Sequence, residues 1–143
     1  MVRKGYIEQQ IEEMGRFLRQ LLLKRTEDAA GVAGEAEEIR DAAKLLTGLD
    51  LNTVVSLPES YYLSLFEVEG QVHSGNAAIV GTLLIEEADA LERTEQATPE
   101  EIRTRYIRAK TLLSAALAQA DYLRTPELVS RLAKAHQRLQ NLP

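Results

Sequence analysis

The sequence predicts an all-α protein, a single domain of about five to six amphipathic helices packed as antiparallel hairpins. Three observations predict it. Apolar residues recur at steps of three and four along most of the chain, which places them on one face of a helix. Leu and Ala supply 22 and 18 of the 143 residues, while aromatics are few and Trp and Cys are absent, a balance suited to close-packed helices. Helix-start signals also stand at defined points, above all Thr98-Pro99-Glu100-Glu101 and Thr125-Pro126. A chain of this length is about one domain's worth, so residues 1–143 read as one core.

The first helix spans Tyr6 to Leu23, with Ile7, Ile11, Met14, Leu18 and Leu21 on one face. Such a seam is covered either by other helices of the chain or by a second copy, so a homodimer is an expectation here. Lys24 and Arg25 sit where the helix dipole is negative. Gly15, unfavourable inside a helix, points either to close approach of a neighbouring backbone or to a tolerated defect.

The run Lys4-Gly5-Tyr6-Ile7, then Ile11-Glu12 and Gly15 before a Leu-rich helix end, resembles the opening of a family of short, all-helical, functionally uncharacterised bacterial proteins. The resemblance covers about the first twenty-five residues and implies a tetratricopeptide-like helical array with no assigned activity. It implies no functional residues.

Thr26, followed by Glu27 and Asp28, is a candidate cap for a second helix whose face is Ala29, Val32, Ala36, Ile39, Ala43 and Leu46 and whose end is Gly48. Gly31 and Gly34 weaken its opening and allow a start nearer Gly34. Residues Leu49 to Leu57 hold a cluster of β-branched side chains but stand alone, so a short helix capped by Asp50 is preferred to a strand without a partner. Ser56-Leu57-Pro58-Glu59 has capping-box spacing and predicts a helix through Tyr61, Leu65 and Val68, then a loop ending in a cap at Ser74 or Asn76.

The fourth helix carries Ala77, Gly81, Leu84, Ala88 and Leu91 on one face. Thr98 opens a fifth, along which Ile102, Tyr106, Ala109, Leu113, Ala116, Ala120 and Leu123 keep the rhythm. Thr125-Pro126 opens the last, with Leu128, Leu132, Ala135, Leu139 and Leu142 inward. Helices four and five together resemble a tetratricopeptide pair, with Leu84, Ala88, Leu91, Tyr106 and Ala109 at its packing positions. The connection is about two residues too long, Ile102 stands where a small residue is usual, and no period near 34 residues recurs.

The net charge of −5 is unevenly divided: +3 over residues 1–25, −14 over 26–101 and +6 over 102–143. The simplest account packs an acidic middle between basic end helices, within one molecule or across a dimer. Glu86, Glu87, Asp89 and Glu92 are expected to form a solvated face, because cation sites need a loop or converging helices to aim their oxygens. Arg103, Arg105, Arg108 and Lys110 form the best candidate partner-binding or anionic surface, although Tyr106 among them falls in the apolar seam. Arg16, Arg19, Lys24 and Arg25 around Phe17 and Leu18 suggest a membrane-surface helix, which Glu8, Glu12 and Glu13 oppose.

Signals for chemistry are sparse. The absence of Cys excludes disulfides, thiolate metal sites and a cysteine nucleophile, and fits a cytoplasmic address. No apolar run approaches the ~20 residues of a membrane span, and Glu8, Glu12 and Glu13 interrupt any signal-peptide core. The two histidines, His73 in a glycine-rich loop and His136 on the last helix, match no zinc or di-iron spacing. Gly75 and Gly81 lack the strand and the Lys-Ser/Thr of a phosphate loop. No cofactor or metal is expected. The function expected is a non-enzymatic helical interaction or scaffold module that binds a protein or peptide through a groove or end face. The alternatives are anion or nucleic-acid binding through the basic helix faces, or an enzyme with a concave site holding groups of perturbed pKa.

Overall fold

A computed structural model describes residues 4–27 and 34–142. Helix α1 spans Lys4–Glu27, α2 Glu35–Thr47 and α3 Leu51–Ser56. A 3-10 helix at Tyr62–Phe66 leads into a hairpin of β1, Glu67–Val68, and β2, Gln71–Val72. Then come α4 (Ser74–Arg93), α5 (Pro99–Gln119), a 3-10 helix at Asp121–Leu123 and α6 (Pro126–Asn141). The fold is all-α: among the described residues, strand is confined to that hairpin of two residues a side.

Most helix ends follow from the chemistry of a single turn. Gly48 ends α2 in the left-handed region at φ 76°, its N–H bonded to Lys44 O. Asp50 caps α3 by accepting from the Asn52 N–H, and Thr125 caps α6 by accepting from the Leu128 N–H. Thr98 and Glu101 make both bonds of a capping box at the start of α5. Thr98→Ala is therefore expected to lower stability by about 1 kcal/mol. Urea unfolding checks this, and an unchanged midpoint would count against the box.

Elsewhere tertiary contacts override the local signal. Helix α1 continues through Thr26 and Glu27, so Thr26 does not cap α2, which starts after Gly34; Ala29, Gly31 and Val32 lie outside the described residues. No α-helix forms from Pro58 to Val68. Instead Tyr61 and Tyr62 both donate to Pro58 O in a turn, and Tyr62 and Phe66 are the side chains buried. Arg108 holds this segment from α5: it donates to the carbonyls of Val54 and Leu57 and lies over the Tyr62 ring, 4.5 Å from its centre. The predicted loop is a hairpin turning at Glu69 and Gly70, both at positive φ, 55° and 79°. Two positive φ values match the twist of paired strands. Helix α5 stops at Gln119, and Leu123 is buried from the following 3-10 helix.

The core is arranged around α4, in which every residue from Ala77 to Ala88 is buried. A helix buried on all sides must be covered on all sides, and α1, α2, α5 and α6 all pack on it. Side-chain bonds give the directions. Gln10 meets Asn76 and Arg25 meets Glu86, so α1 runs parallel to α4. Glu35 meets Arg93 and Arg40 meets Glu87, so α2 is antiparallel to it. On α5, Arg105 meets Glu87 while Ala109 and Leu113 lie opposite Gly81, again antiparallel. On α6, Arg131 meets Glu86 and Arg138 meets Glu92, so α6 is parallel. In a stacked-hairpin array each pair touches only its neighbours. Here one helix is enclosed by four, and α4 with α5 is a single antiparallel hairpin inside a bundle.

The acidic middle and basic ends do complement one another, but in the interior. Glu86 and Glu87 do not lie on a solvated face: they are 8% and 0% exposed, because α4 is covered on every side from Ala77 to Ala88. Three buried glutamates each lie between two arginines. Glu87 accepts from Arg40 and Arg105, each at 2.6 Å. Glu86 accepts from Arg25 at 3.2 Å and Arg131 at 3.3 Å. Glu35 accepts from Arg25 and from Arg93, the latter at 2.8 Å. Asp89 and Glu92 are less enclosed and pair with Arg93 and Arg138.

Candidate functional site

A concavity opens where α4 begins. His73 joins the hairpin to the central helix through three bonds. Its N–H donates to Phe66 O at 2.6 Å, its carbonyl accepts from the Ala77 N–H at 3.0 Å, and its ring Nδ1 accepts from the Asn76 N–H at 3.0 Å. The ring thus caps α4, and neither Ser74 nor Asn76 does. Burial lowers the pKa of this imidazole, only partly opposed by its own backbone hydrogen bond.

Beside His73 a groove encloses about 540 Å³. One wall is the hairpin, with Val68, Glu69, Gln71 and Val72; another is Ile7 near the start of α1. Ser74 of α4 lies with His73, and Gln119, Ala120 and Tyr122 close the far side. Both apolar and polar side chains line it, and its volume lies within the size range of ligand pockets. Beneath it Gly75 leaves room for its neighbours: a Cβ there would stand 2.9 Å from Gln10 Oε1 and 3.0 Å from Ile7 Cγ2. Gln10 is buried and ties three helices together, donating to Leu46 O of α2 and to Asn76 Oδ1 of α4. A second cleft, of about 320 Å³ between α1 and α2, draws on those two helices alone; it is bordered by the exposed Leu45 and the half-buried Phe17 and Leu46.

The basic set read from the sequence does not make one surface. Arg105 is buried against Glu87, and Arg108 is buried against the carbonyls of Val54 and Leu57. Arg103 is half-buried and donates to Leu142 O, and Lys110 is half-buried. A helix charge with no local partner predicts surface; the partners here, Glu87 and the end of α3, come from distant parts of the chain. Tyr106 is fully buried, where burial raises the pKa of its hydroxyl and the Arg138 guanidinium, 3.4 Å away, opposes the rise.

In the first-helix seam Ile7, Met14, Leu18 and Leu21 are buried within the chain itself and Ile11 is half-buried. His136 is exposed on α6 beside Gln140. Among the described residues no three His, Asp or Glu side chains group to hold a metal ion, and no helix is long and apolar enough to cross a membrane. The groove escaped sequence reading because Ile7, His73 and Tyr122 share no motif. No family model, curated protein or solved structure matches the chain, so the resemblance carried by Lys4-Gly5-Tyr6-Ile7, Ile11-Glu12 and Gly15 gains no support from such comparisons.

Proposed function

We propose that this chain is a non-enzymatic helical interaction module that takes a short extended segment of a partner protein into the groove beside His73. The observation that carries the reading is the make-up of the groove, whose walls come from α1, the hairpin, the start of α4, the end of α5 and the chain just after it, with both apolar and hydrogen-bonding side chains. A mixed lining suits a peptide, which brings its own backbone donors and acceptors together with apolar side chains.

The chemistry of His73 favours binding over catalysis. Its Nδ1 lone pair is occupied by the Asn76 N–H, so the neutral ring carries its proton on Nε2 and has no free lone pair with which to act as a general base. What it offers is a donor. An anionic polymer is disfavoured in turn, since Arg105 and Arg108 are turned inward.

Selection of peptides from a displayed random library on the intact protein, followed by calorimetric titration, tests the proposal. Val68 and Gln119 border the groove and are exposed, so Val68→Arg and Gln119→Arg should obstruct it without opening the core. Selected peptides are expected to bind each variant at least about tenfold more weakly, the loss of one well-packed contact region. Equal affinity for the double variant would show that the groove is not the docking site.

A further inference from the structure

We propose that the groove is proton-sensitive, because the same imidazole that borders it also caps the central helix: a proton added to Nδ1 of His73 releases the cap and reshapes the groove wall. The inference rests on the docking reading only for its consequence in binding; the switch itself belongs to the free protein.

The geometry sets the protonated ring against the helix that the neutral ring caps. Nδ1 lies 3.0 Å from the Asn76 nitrogen and accepts its N–H. An imidazolium carries hydrogens on both nitrogens, so Nδ1–H and the Asn76 N–H would be two donors facing each other. The positive charge would also stand at the positive end of the dipole of a 20-residue helix. Both effects disfavour the charged ring, against the hydrogen bond to its own backbone that favours it. The backbone of His73 keeps its bonds to Phe66 O and to the Ala77 N–H, so the side chain moves while the chain stays anchored.

Among the described residues, the titratable side chains that share the groove with His73 are Glu69 on the hairpin turn and Tyr122 on the far side. Ile7 of α1, Ser74 of α4 and Gln119 of α5 face it without titrating. Glu69 favours the imidazolium, but it stands exposed at the tip of the turn, where water screens it. Burial, which lowers the pKa of His73, works with the geometry. For a histidine so lowered, the neutral-ring cap contributes fully above the unfolded value of about 6.5 and is lost as pH falls from there through the lower folded value.

The test compares wild type with His73→Asn, which keeps a capping oxygen but cannot titrate, and with His73→Ser as a second capping variant. Ring nitrogen shifts at about pH 8 should report the Nε2–H tautomer. Protection of the Asn76 amide from hydrogen exchange, corrected for the intrinsic rate, should fall about fivefold in wild type between about pH 8 and about pH 5, the effect of losing one cap. It should stay level in both variants. A proton on Nδ1 at the higher pH, or an equal fall in wild type and variants, would overturn the switch. The selected peptides form the second arm: their affinity should drop at the lower pH for wild type and not for His73→Asn. If amide protection switches while no peptide binds the groove at either pH, the docking reading fails and the proton-sensitive cap stands. If peptides bind while protection stays flat, the reverse holds.

Discussion

Glu87→Ala is expected to destabilise the protein by about 3–5 kcal/mol, the loss typical when one partner of a buried ion pair is removed. Glu87 is 0% exposed, and its two oxygens accept from Arg105 and Arg40. Truncation would leave the Arg105 guanidinium enclosed, with the Glu101 carbonyl as its remaining partner among the described residues. Arg40 is less enclosed and can turn to solvent, so Arg105 carries the larger part of the penalty. Glu87→Leu combined with Arg105→Met should recover most of the loss, because apolar side chains of similar volume remove both desolvated charges together. Glu92→Ala is the control: its pair with Arg138 is partly exposed on both sides and should contribute less than about 1 kcal/mol. Urea unfolding of the variants measures all three. A Glu87→Ala protein within about 1 kcal/mol of wild type would show that the carboxylate is not holding the interior arginines.

The same chemical change at two glycines should have opposite signs. At Gly81 an added Cβ would lie 2.9 Å from Leu113 Cγ and 3.2 Å from the backbone oxygen of Ala109, so α4 and α5 would have to separate. Overpacking of this kind costs about 1–3 kcal/mol, more than the roughly 1 kcal/mol that alanine adds in helix propensity at most. Gly81→Ala should therefore destabilise, and Gly81→Val more so. At Gly15 the nearest atom to an added Cβ is the end of the Arg19 side chain at 3.5 Å, so among the described residues no other helix's backbone approaches and the glycine is a tolerated defect. Gly15→Ala should stabilise by up to about 1 kcal/mol. Thermal unfolding of the two variants side by side decides the matter; a shift in the same direction for both would mean that the close approach of α4 and α5 is not rigid.

The contrast also marks how far local pattern reaches. Both glycines interrupt helices, and at Gly15 the sequence left close approach and a tolerated defect equally open. Which one a neighbour crowds depends on the helix opposite. Glu86 and Glu87 teach the same lesson. Acids among apolar residues at helical spacing read as an outward face, yet the run Ala77 to Ile85, without one charged residue, was the sign that this helix has no outside. Arg105 and Arg108 were misplaced for the matching reason, since a guanidinium on a helix is surface unless something distant reaches it.

The candidate site was the least legible part. A Glu69-Gly70 turn lacks the Asn-Gly or Asp-Gly signature of a tight hairpin, and histidine is not among the preferred capping residues. The groove then joins positions that have no common spacing.

What the sequence determined by itself was the helical class, the Ile7-to-Leu21 seam, and the helix ends at Gly48, Asp50, Thr98 and Thr125, because each depends on atoms within one or two turns of chain. Only the tertiary structure decided that α4 lies at the centre, which charges pair inside, and where the groove opens, because those depend on helices that approach from distant parts of the chain and exclude water between them.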